Sequence, residues 1–395
     1  MEKGEYSPFT HFIDAHEIQD TSKAQELLQK GKVGAVVLAG GQATRLERDD
    51  PKGTLSVSLI KHKSLFQLIS EKTLSMSRLI KRDLPLAFMT SQENYDATLR
   101  FFEEHHFFAL KKEYLSFFTQ GSLPLLDEQG KPILDKDGHI IEGPDGNGSF
   151  FFNFVKSGLF SSWQKLHVEY VTVMVIDNPL IHPFDLKLLQ VAAQKKNEVT
   201  LQAIFRSDVD EKVGVIVEKD NKLIVVEYSE MKKEEAKATL SDASFKHKLA
   251  NISFFCFSMP FIEKMASLFS HMPLHKAKKR FSEARYRKLH EGASHTFYKC
   301  EYFIFDALEY AQKIDVLVDD RENCFAPIKN KTGKDSLETA QLALLNKDRK
   351  LFEQISGIRP PADRPFELSP DFYFPTEELK KKWQGKPLPQ EKYIP

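Results

Sequence analysis

Residues 33–46 read VGAVVLAGGQATRL, a short apolar run followed at once by a glycine pair and a polar loop. The run Val33–Ala39 has the length of a strand and is apolar at consecutive positions, so both of its faces are expected to be buried. Strands of this kind occur in parallel sheets that are covered by helices on both faces. The glycines allow a tight turn at the carboxyl end of the strand, where such sheets bind ligands. This stretch therefore predicts an α/β fold with a ligand-binding loop after its first long strand.

Strands and helices alternate along the first two hundred residues, which favours a mostly parallel sheet. After the first strand, the sequence predicts strands over 84–90, 116–119 and 168–176, and helices over 64–80, 91–105 and 150–166. Beyond them it predicts a hairpin over 213–226, a strand over 252–257, a basic helix over 276–287 and an amphipathic helix over 337–345.

The composition is that of an ordinary globular protein. The 395 residues include 56 basic and 56 acidic side chains, so the formal net charge is zero, which argues against a nucleic-acid or membrane-surface partner. No apolar run reaches the roughly 18 residues that span a bilayer, and the first residues lack the apolar core of a signal peptide. Cys256, Cys300 and Cys324 are widely spaced and form no zinc-binding pattern. These features predict a cytoplasmic protein.

The loop after the first strand contains groups that bind phosphate. Backbone N–H groups at Gly40 and Gly41 can approach an anion closely, and Arg45 and Lys52 add two positive charges. The spacing matches neither the Walker A loop nor the GxGxxG dinucleotide fingerprint. A purely structural turn is the alternative, but the two cations favour a loop that binds nucleotide phosphates.

Asp177 directly follows the apolar run 168–176. A carboxylate at the end of a parallel strand is either a turn or cap residue or a ligand for Mg²⁺ on a bound nucleotide. The residue pattern alone leaves both interpretations open.

Residues 38–53 resemble the signature of the uridylyltransferases that make nucleotide sugars, specifically the UDP-N-acetylhexosamine pyrophosphorylase group, in which LAGGQGTRLG is followed by PKG. Two positions depart from the pattern: Ala43 and Glu47 stand where the family has glycine. The resemblance implies a Rossmann-like, glycosyltransferase-A-like nucleotidyltransferase core with a mixed, mostly parallel sheet and small terminal lobes. It also implies a short N-terminal helical segment (1–32), a catalytic domain (33–330) and a small C-terminal segment (331–395).

Further blocks resemble the same family in the same order and extend the resemblance over residues 33 to 330. They imply nucleotide contacts by Gly40, Gly41, Gln120, Gly146 and Asn147, and sugar contacts by Gly214, Glu227, Asn251, Phe303 and Phe305. The amide of Gln120 can both donate to and accept from a uracil edge. If residues 302–306 form a strand, Phe303 and Phe305 share one face and can line an acetyl pocket.

The activity implied by this resemblance is Mg²⁺-dependent uridylyl transfer, in which UTP and N-acetylglucosamine 1-phosphate give UDP-N-acetylglucosamine and pyrophosphate. The expected catalytic residues are Arg45, Lys52 and Lys329, and the expected metal ligand is Asp177, so that the metal interpretation of this aspartate is favoured. The expected partners are UTP, a hexosamine 1-phosphate, the UDP-sugar and pyrophosphate, with no nucleic acid and no membrane.

Two alternatives remain. A UDP-glucose or broad-specificity UDP-sugar pyrophosphorylase shares the fold and much of the glycine loop. A nucleotide-sugar-binding protein without catalysis is favoured by Ala43, Glu47 and termini shorter than those of longer family members.

Overall fold

A mixed, mostly parallel β-sheet of eleven strands forms the centre of this computed structural model, which describes residues 6–41, 50–281, 286, 287, 289 and 294–395. The strands, in chain order, are β1 (Ser7–Pro8), β2 (Ile13–Asp14), β3 (Val33–Leu38), β4 (Leu86–Thr90), β5 (Leu115–Thr119), β6 (Ser122–Pro124), β7 (Glu142–Pro144), β8 (Tyr170–Val175), β9 (Val199–Phe205), β10 (Gly214–Lys219), β11 (Lys222–Val226), β12 (Leu249–Ser258), β13 (His275–Arg280), β14 (Thr296–Glu301), β15 (Ile314–Val318), β16 (Glu367–Leu368) and β17 (Tyr393–Ile394).

The α-helices, in chain order, are α1 (Ser22–Gln29), α2 (Leu65–Ile80), α3 (Tyr95–Glu104), α4 (Phe150–Lys156), α5 (Leu159–Lys165), α6 (Leu186–Lys195), α7 (Lys233–Ala236), α8 (Met259–Ser267), α9 (Arg321–Cys324), α10 (Leu337–Ser356) and α11 (Glu377–Trp383). Among the described residues, none of these helices is both long and apolar enough to cross a lipid bilayer.

The main path of the sheet runs β2-β15-β9-β12-β8-β3-β4-β5. Neighbouring strands on this path are parallel, except that β12 is antiparallel to both β8 and β9. The hairpin β10–β11 extends the sheet beside the first residues of β12. Because β12 runs in the opposite direction, its first residues lie at the same edge of the sheet as the carboxyl ends of the parallel strands. The candidate site lies at this edge, which is formed by the ends of the strands and not by an outermost strand.

Both faces of the sheet are covered by helices, as the apolar run at 33–39 predicts. All six residues of β3 are buried, and they alternate between two cores. Ala35 and Val37 enter the core formed with α2 and α6, whereas Val36 and Leu38 enter the core formed with α4, α5 and α8. The predicted α/β fold with a buried, mostly parallel sheet is confirmed.

The terminal parts of the chain pack against this sheet. β1 pairs with β10 and β2 pairs with β15. At the other end, α10, α11 and the β16–β17 pair enclose a small apolar cluster that includes Phe352 and Trp383. The carboxylate of Glu367 accepts hydrogen bonds from the backbone N–H groups of Ile60 and Lys61, at 3.0 and 2.9 Å, and so joins the C-terminal segment to the loop that follows Lys52.

The predicted basic helix at 276–287 is wrong. Residues 275–280 instead form β13, which pairs antiparallel with β14. Lysine and arginine are good helix formers, but tertiary pairing overrides this local preference here. The partner strand 296–301 supplies threonine, phenylalanine and tyrosine, which favour sheet pairing. The pairing also places the ammonium group of Lys276 4.1 Å from the ring centre of Tyr298. Only part of the remaining predicted helix lies among the described residues.

Three other helices differ from their predictions in extent. α3 begins at Tyr95 rather than at Ser91, because the side chain of Asn94 accepts a hydrogen bond from the Ser91 N–H and holds a turn there. The predicted helix 150–166 is interrupted at Gly158, where φ is +82°. The helix predicted over 337–345 continues to Ser356.

Candidate active site

The glycine loop lies at the carboxyl end of β3, beside the residue that follows β5. A Cβ atom at Gly40 would lie 2.7 Å from the Nε2 atom of Gln120, so this close approach requires glycine. The backbone carbonyl of Ala39 accepts a hydrogen bond from the Asn94 amide at 3.1 Å, which fixes the end of β3. The predicted phosphate ligand Arg45, together with Ala43 and Glu47, lies outside the described residues.

The resemblance implies that Gln120 binds the uracil of UTP. On that expectation, replacing Gly40 by alanine displaces the Gln120 amide and raises the KM for UTP by roughly tenfold, since a lost hydrogen bond to a ligand costs about 1 kcal/mol or more. The KM for the sugar phosphate should change much less. Steady-state kinetics with each substrate varied in turn measures both. The matched control is the double variant Gly40→Ala/Gln120→Ala, which should bind UTP no more weakly than Gln120→Ala alone, because the three atoms nearest to a Cβ at Gly40 all belong to Gln120. A further loss of UTP binding in the double variant would contradict this geometry.

Lys52 and Asp177, which are 125 residues apart in the sequence, form an ion pair in the cleft. Lys52 begins a 3₁₀ turn, and its Nζ atom lies 3.2 Å from Oδ2 of Asp177. Both side chains are mostly buried, with exposed fractions of 15% and 19%. Burial alone would raise the pKa of Asp177, but the charges of Lys52 and Lys329 and the hydrogen bond from Lys52 together lower it. The Asp177 carboxylate is therefore ionised at neutral pH.

Asn178 links the segment of Asp177 to the segment of Lys329. Its amide donates to the carbonyl of Cys324 at 2.7 Å and accepts from the N–H of Ala326 at 3.1 Å. The backbone adds a hydrogen bond from the N–H of Ile328 to the carbonyl of Asp177 at 2.9 Å. Asn178 was not among the predicted site residues, although an asparagine and a proline directly after a buried strand indicate a tightly bonded turn.

Replacing Asn178 by alanine is expected to lower kcat by roughly ten- to a hundredfold, because reacting groups that shift by about 1 Å lose that much rate. Asn197→Ala is the matched control: Asn197 is also buried and its amide donates two hydrogen bonds, to Thr200 and Asp315, but it lies before β9 at the opposite edge of the sheet. Thermal unfolding and kcat should be measured for both variants. If the two variants lost the same activity, the Asn178 effect would be one of stability alone.

A second buried group holds the loop after Asp177 from the other side. The ammonium group of Lys72, on α2, donates to the carbonyls of Pro179 and Ile181 at 2.6 and 3.0 Å. Burial lowers the pKa of Lys72 to about 7. Lys72 was not among the predicted site residues. Its position among the buried residues Leu68, Ile69 and Met76 of the same helix is the feature of the sequence that indicates a buried polar role.

A cavity of about 460 Å³ contains the predicted nucleotide-binding residues. Gly146 has a φ of +96°, and a Cβ atom there would overlap the backbone carbonyl of Tyr302. Asn147 accepts a hydrogen bond from the N–H of Ile304 at 2.9 Å. The glycine-rich turn at 145–148 therefore packs directly against the segment that follows β14.

A second cavity of about 210 Å³ contains the predicted sugar-binding residues. Gly214 of β10 is paired with Asn251 of β12, and β12 has an irregular register between residues 251 and 254. Such a bulge redirects side chains at a sheet edge. The Asn251 side chain accepts a hydrogen bond from the N–H of Ser253 at 3.0 Å, and burial raises the pKa of the nearby Glu227 carboxyl group.

Residues 302–306 do not form a strand, so the condition under which Phe303 and Phe305 would share a strand face is not met. β14 ends at Glu301 and a 3₁₀ helix begins at Ile304. Phe303 and Phe305 nevertheless lie together, with ring centres 5.0 Å apart, and both line the second cavity. The tight turn brings the two rings together without the alternation of a strand.

The two cavities adjoin, because Asn147, Val175, Asp177 and Phe303 line both, and together they are called the cleft. All thirteen sequence-predicted site residues that lie in the described ranges line this cleft. The first cavity contains Gly40, Gly41, Lys52, Gln120 and Gly146, the second contains Gly214, Glu227, Asn251, Phe305 and Lys329, and Asn147, Asp177 and Phe303 line both. The structure thus brings together the residues that the motifs singled out.

The cleft also contains residues that the sequence analysis did not identify. Lys299 and Glu301 of β14 form an ion pair of 2.8 Å at the wall of the first cavity. Lys212 lines the second cavity, where its backbone carbonyl accepts a hydrogen bond from the Lys329 ammonium group at 3.3 Å. No motif marked these lysines. Lys299 belongs to β14, whose partner strand β13 lies within the stretch that the sequence predicted as a helix.

Asp177 fits the chemistry of a magnesium ligand. Among the described residues, it is the one carboxylate that lines both cavities. Mg²⁺ in nucleotide sites is held by one or two carboxylates together with substrate phosphates, so an ionised carboxylate at the junction of the two cavities suits it.

Comparison with known proteins identifies the family to which the chain belongs. Residues 2–353 match the UTP–glucose-1-phosphate uridylyltransferase family. The UDP-N-acetylglucosamine pyrophosphorylase of Saccharomyces cerevisiae is 33% identical over 347 residues, which cover 84% of this chain and 72% of that protein.

Solved structures show the same fold. A chain from Entamoeba histolytica, provisionally named UDP-N-acetylglucosamine pyrophosphorylase, superimposes with a TM-score of 0.87 at 25% identity and covers 99% of this chain and 100% of its own. The uridine diphosphate N-acetylglucosamine pyrophosphorylase of Trypanosoma brucei, solved with an inhibitor, gives a TM-score of 0.83 at 26% identity and covers 95% of this chain and 82% of its own. The chain therefore belongs to the UTP–glucose-1-phosphate uridylyltransferase family and is an enzyme of the nucleotidyltransferase class, as the motif at 38–53 predicted.

Proposed function

We propose that this enzyme transfers the uridylyl group of UTP to N-acetylglucosamine 1-phosphate in a Mg²⁺-dependent reaction that releases pyrophosphate. The observation that carries this proposal is the position of Asp177, an ionised carboxylate at the place where the two cavities meet. It contacts Lys52, which lines the first cavity, and it is stabilised by the positive charge of Lys329, which lines the second. This arrangement suits a reaction between a nucleotide and a phosphorylated sugar that meet at their phosphates.

In the proposed reaction, a phosphate oxygen of the sugar 1-phosphate attacks the α-phosphorus of UTP in line. The bond from that phosphorus to the oxygen shared with the β-phosphate breaks, and the electron pair leaves with pyrophosphate. The attacking oxygen is already ionised, so no base has to remove a proton from it. Catalysis then consists of positioning and of neutralising charge.

Three charged residues of the cleft have defined parts in this proposal. The ammonium group of Lys52 neutralises the phosphates that leave, and that of Lys329 orients the phosphate of the sugar. The Asp177 carboxylate holds Mg²⁺, which, when bound, withdraws negative charge from the phosphate oxygens. Arg45 is proposed to assist Lys52, on the basis of the sequence motif alone.

Two features support an N-acetylated sugar over glucose. The second cavity is lined by the amide of Asn251 and by the rings of Phe303 and Phe305, and an amide donor or acceptor beside apolar walls suits an acetamido group. In addition, the relative from Saccharomyces cerevisiae and the solved structures described above carry names that specify N-acetylglucosamine. A cytoplasmic location is part of this proposal and is supported by Cys256, Cys300 and Cys324, which are buried, unpaired thiols.

A competition experiment tests the choice of sugar. The enzyme is incubated with UTP, Mg²⁺ and equal amounts of N-acetylglucosamine 1-phosphate and glucose 1-phosphate, and the UDP-sugars are separated by chromatography. We expect UDP-N-acetylglucosamine to predominate by at least about a hundredfold, because a site built for a polar group rejects an analogue that lacks it. Predominance of UDP-glucose would retain the chemistry and overturn the assignment of the second cavity.

A further inference from the structure

His275, the first residue of β13, lies between two carboxylates from different parts of the chain. Its Nδ1 atom is 2.7 Å from Oε1 of Glu230, and its Nε2 atom is 2.9 Å from Oδ2 of Asp306. Ionised carboxylate oxygens only accept hydrogen bonds, so both ring nitrogens have to donate. The ring is therefore an imidazolium. Its side chain is only 18% exposed, which strengthens both charge-assisted bonds.

The protonation state agrees with this geometry. Burial alone would lower the pKa of His275, but the hydrogen bonds and charges of Asp306 and Glu230 raise it to about 10. The charged groups around the ring are the carboxylates of Glu227, Glu230, Glu301 and Asp306 and the ammonium group of Lys299, which is paired with Glu301. Acidic groups predominate, so the ring remains protonated over the physiological range.

Each carboxylate partner belongs to a turn that carries a wall of the second cavity. The N–H of Glu230 donates to the carbonyl of Glu227 at 2.9 Å, and the N–H of Asp306 donates to the carbonyl of Phe303 at 3.1 Å. The His275 ring also lies against the Phe303 ring, with the two centres 4.4 Å apart. His275 does not itself line the cavity.

We infer that His275 is a positioning residue for the sugar pocket: it joins the turn of Glu227 to the turn of Phe303 and Phe305 and thereby fixes the distance between the polar and aromatic walls. The inference deepens the proposed function and rests on it, because the occupant of this pocket is the sugar proposed above. Glu230 and Asp306 lie in sequence blocks that resemble the family, but the resemblance assigns a role to neither of them. His275 reaches both because residues 275–280 form a strand.

The first test compares substrates in the variant His275→Asn. We expect the KM for N-acetylglucosamine 1-phosphate to rise by roughly ten- to a hundredfold, as loss of hydrogen bonds to charged groups implies, and the KM for UTP to change by less than about twofold. The variant His247→Asn is the matched control, because His247 is also buried and its Nε2 lies 2.6 Å from Glu235, but neither of these residues lines the cleft.

A binding measurement separates this role from general stability. UDP should raise the unfolding temperature of wild type and His275→Asn equally, whereas the further increase caused by UDP-N-acetylglucosamine should be largely lost in the variant. The double variant Glu230→Gln/His275→Asn should bind the UDP-sugar no more weakly than His275→Asn alone, since residues that act as one unit are not additive.

The charge of the His275 ring can be tested through the pH dependence of the unfolding temperature. A pKa raised in the folded state stabilises that state fully below the unfolded value, and this stabilisation is lost as the pH rises through the folded value. The difference in unfolding temperature between wild type and His275→Asn should therefore be larger at about pH 6 than at about pH 9.5. A difference that grew with pH would show that the ring is neutral and would overturn the inference.

Failure of this inference and failure of the proposed function give different results. Equal effects of His275→Asn on both KM values, or an unchanged response to UDP-N-acetylglucosamine, would overturn the role of His275 in an enzyme that still makes UDP-sugar. If the wild type released no pyrophosphate, the proposed function would fail, and the comparison of UDP with UDP-N-acetylglucosamine would still decide whether His275 shapes a sugar pocket.

Discussion

Replacing Lys52 by alanine is expected to lower kcat by roughly a hundred- to a thousandfold, which is the usual cost of removing one group that stabilises developing charge in a transition state. The leaving pyrophosphate gains negative charge as the reaction proceeds, and the Lys52 ammonium group lies in the first cavity, beside the glycine loop. The unfolding temperature should also fall, because Lys52→Ala leaves the mostly buried Asp177 carboxylate without its ion-pair partner, so kcat is measured at a temperature at which the variant is fully folded.

A matched control distinguishes this effect from loss of any lysine–aspartate pair. Lys195 on α6 forms a 2.8 Å ion pair with Asp315, about half of its side chain is exposed, and it lies at the opposite edge of the sheet from the cleft. Lys195→Ala should retain full turnover. Turnover that is unchanged in Lys52→Ala would contradict the proposed role of this lysine.

Replacing Asp177 by asparagine is expected to lower kcat by a similar factor of roughly a hundred to a thousand, since the substitution keeps the shape and removes the charge. The Mg²⁺ concentration that gives half-maximal rate should also rise, because an amide oxygen is a weaker ligand for a hard cation than a carboxylate. A titration of rate against Mg²⁺ measures both effects. A normal Mg²⁺ dependence with lower kcat would assign Asp177 to positioning Lys52 rather than to the metal.

The difference in stability between wild type and Asp177→Asn is expected to depend on pH. The pKa of Asp177 is lowered in the folded state, so its ion pair stabilises the fold above the unfolded pKa of about 3.8 and is lost as the pH falls through the folded value. The difference in unfolding temperature between wild type and variant should therefore shrink below about pH 4. If the difference persisted below about pH 4, the Asp177 carboxylate would not be stabilised by the charges of Lys52 and Lys329.

The fold and much of the cleft could be predicted because parallel strands end at one edge of their sheet. The loop after β3 and Asp177 after β8 follow buried, apolar strands that are visible in the sequence, and the geometry of the sheet brings them together. Lys329 was found through its motif, and the structure explains its position by the hydrogen bonds of Asn178, which tie residues 324–326 to the end of β8.

The rest of the cleft depends on pairings between distant residues, which local sequence does not show. The run 276–280 is dense in lysine and arginine and forms a strand only because 296–301 lies beside it. That pairing places His275 between Glu230 and Asp306 and places Lys299 at the wall of the first cavity. The turn of Phe303 and Phe305 was likewise set by packing against Gly148 rather than by strand periodicity.

The central claim is that the cleft catalyses uridylyl transfer, and release of pyrophosphate tests it most directly. The wild-type enzyme is mixed with UTP, N-acetylglucosamine 1-phosphate and Mg²⁺, and pyrophosphate is followed with a coupled assay, with each component left out in turn. The account predicts release only when all three are present, with one UDP-sugar formed for each pyrophosphate. Binding of UTP and of the UDP-sugar without any release would contradict it and would favour a nucleotide-sugar-binding protein that has lost catalysis.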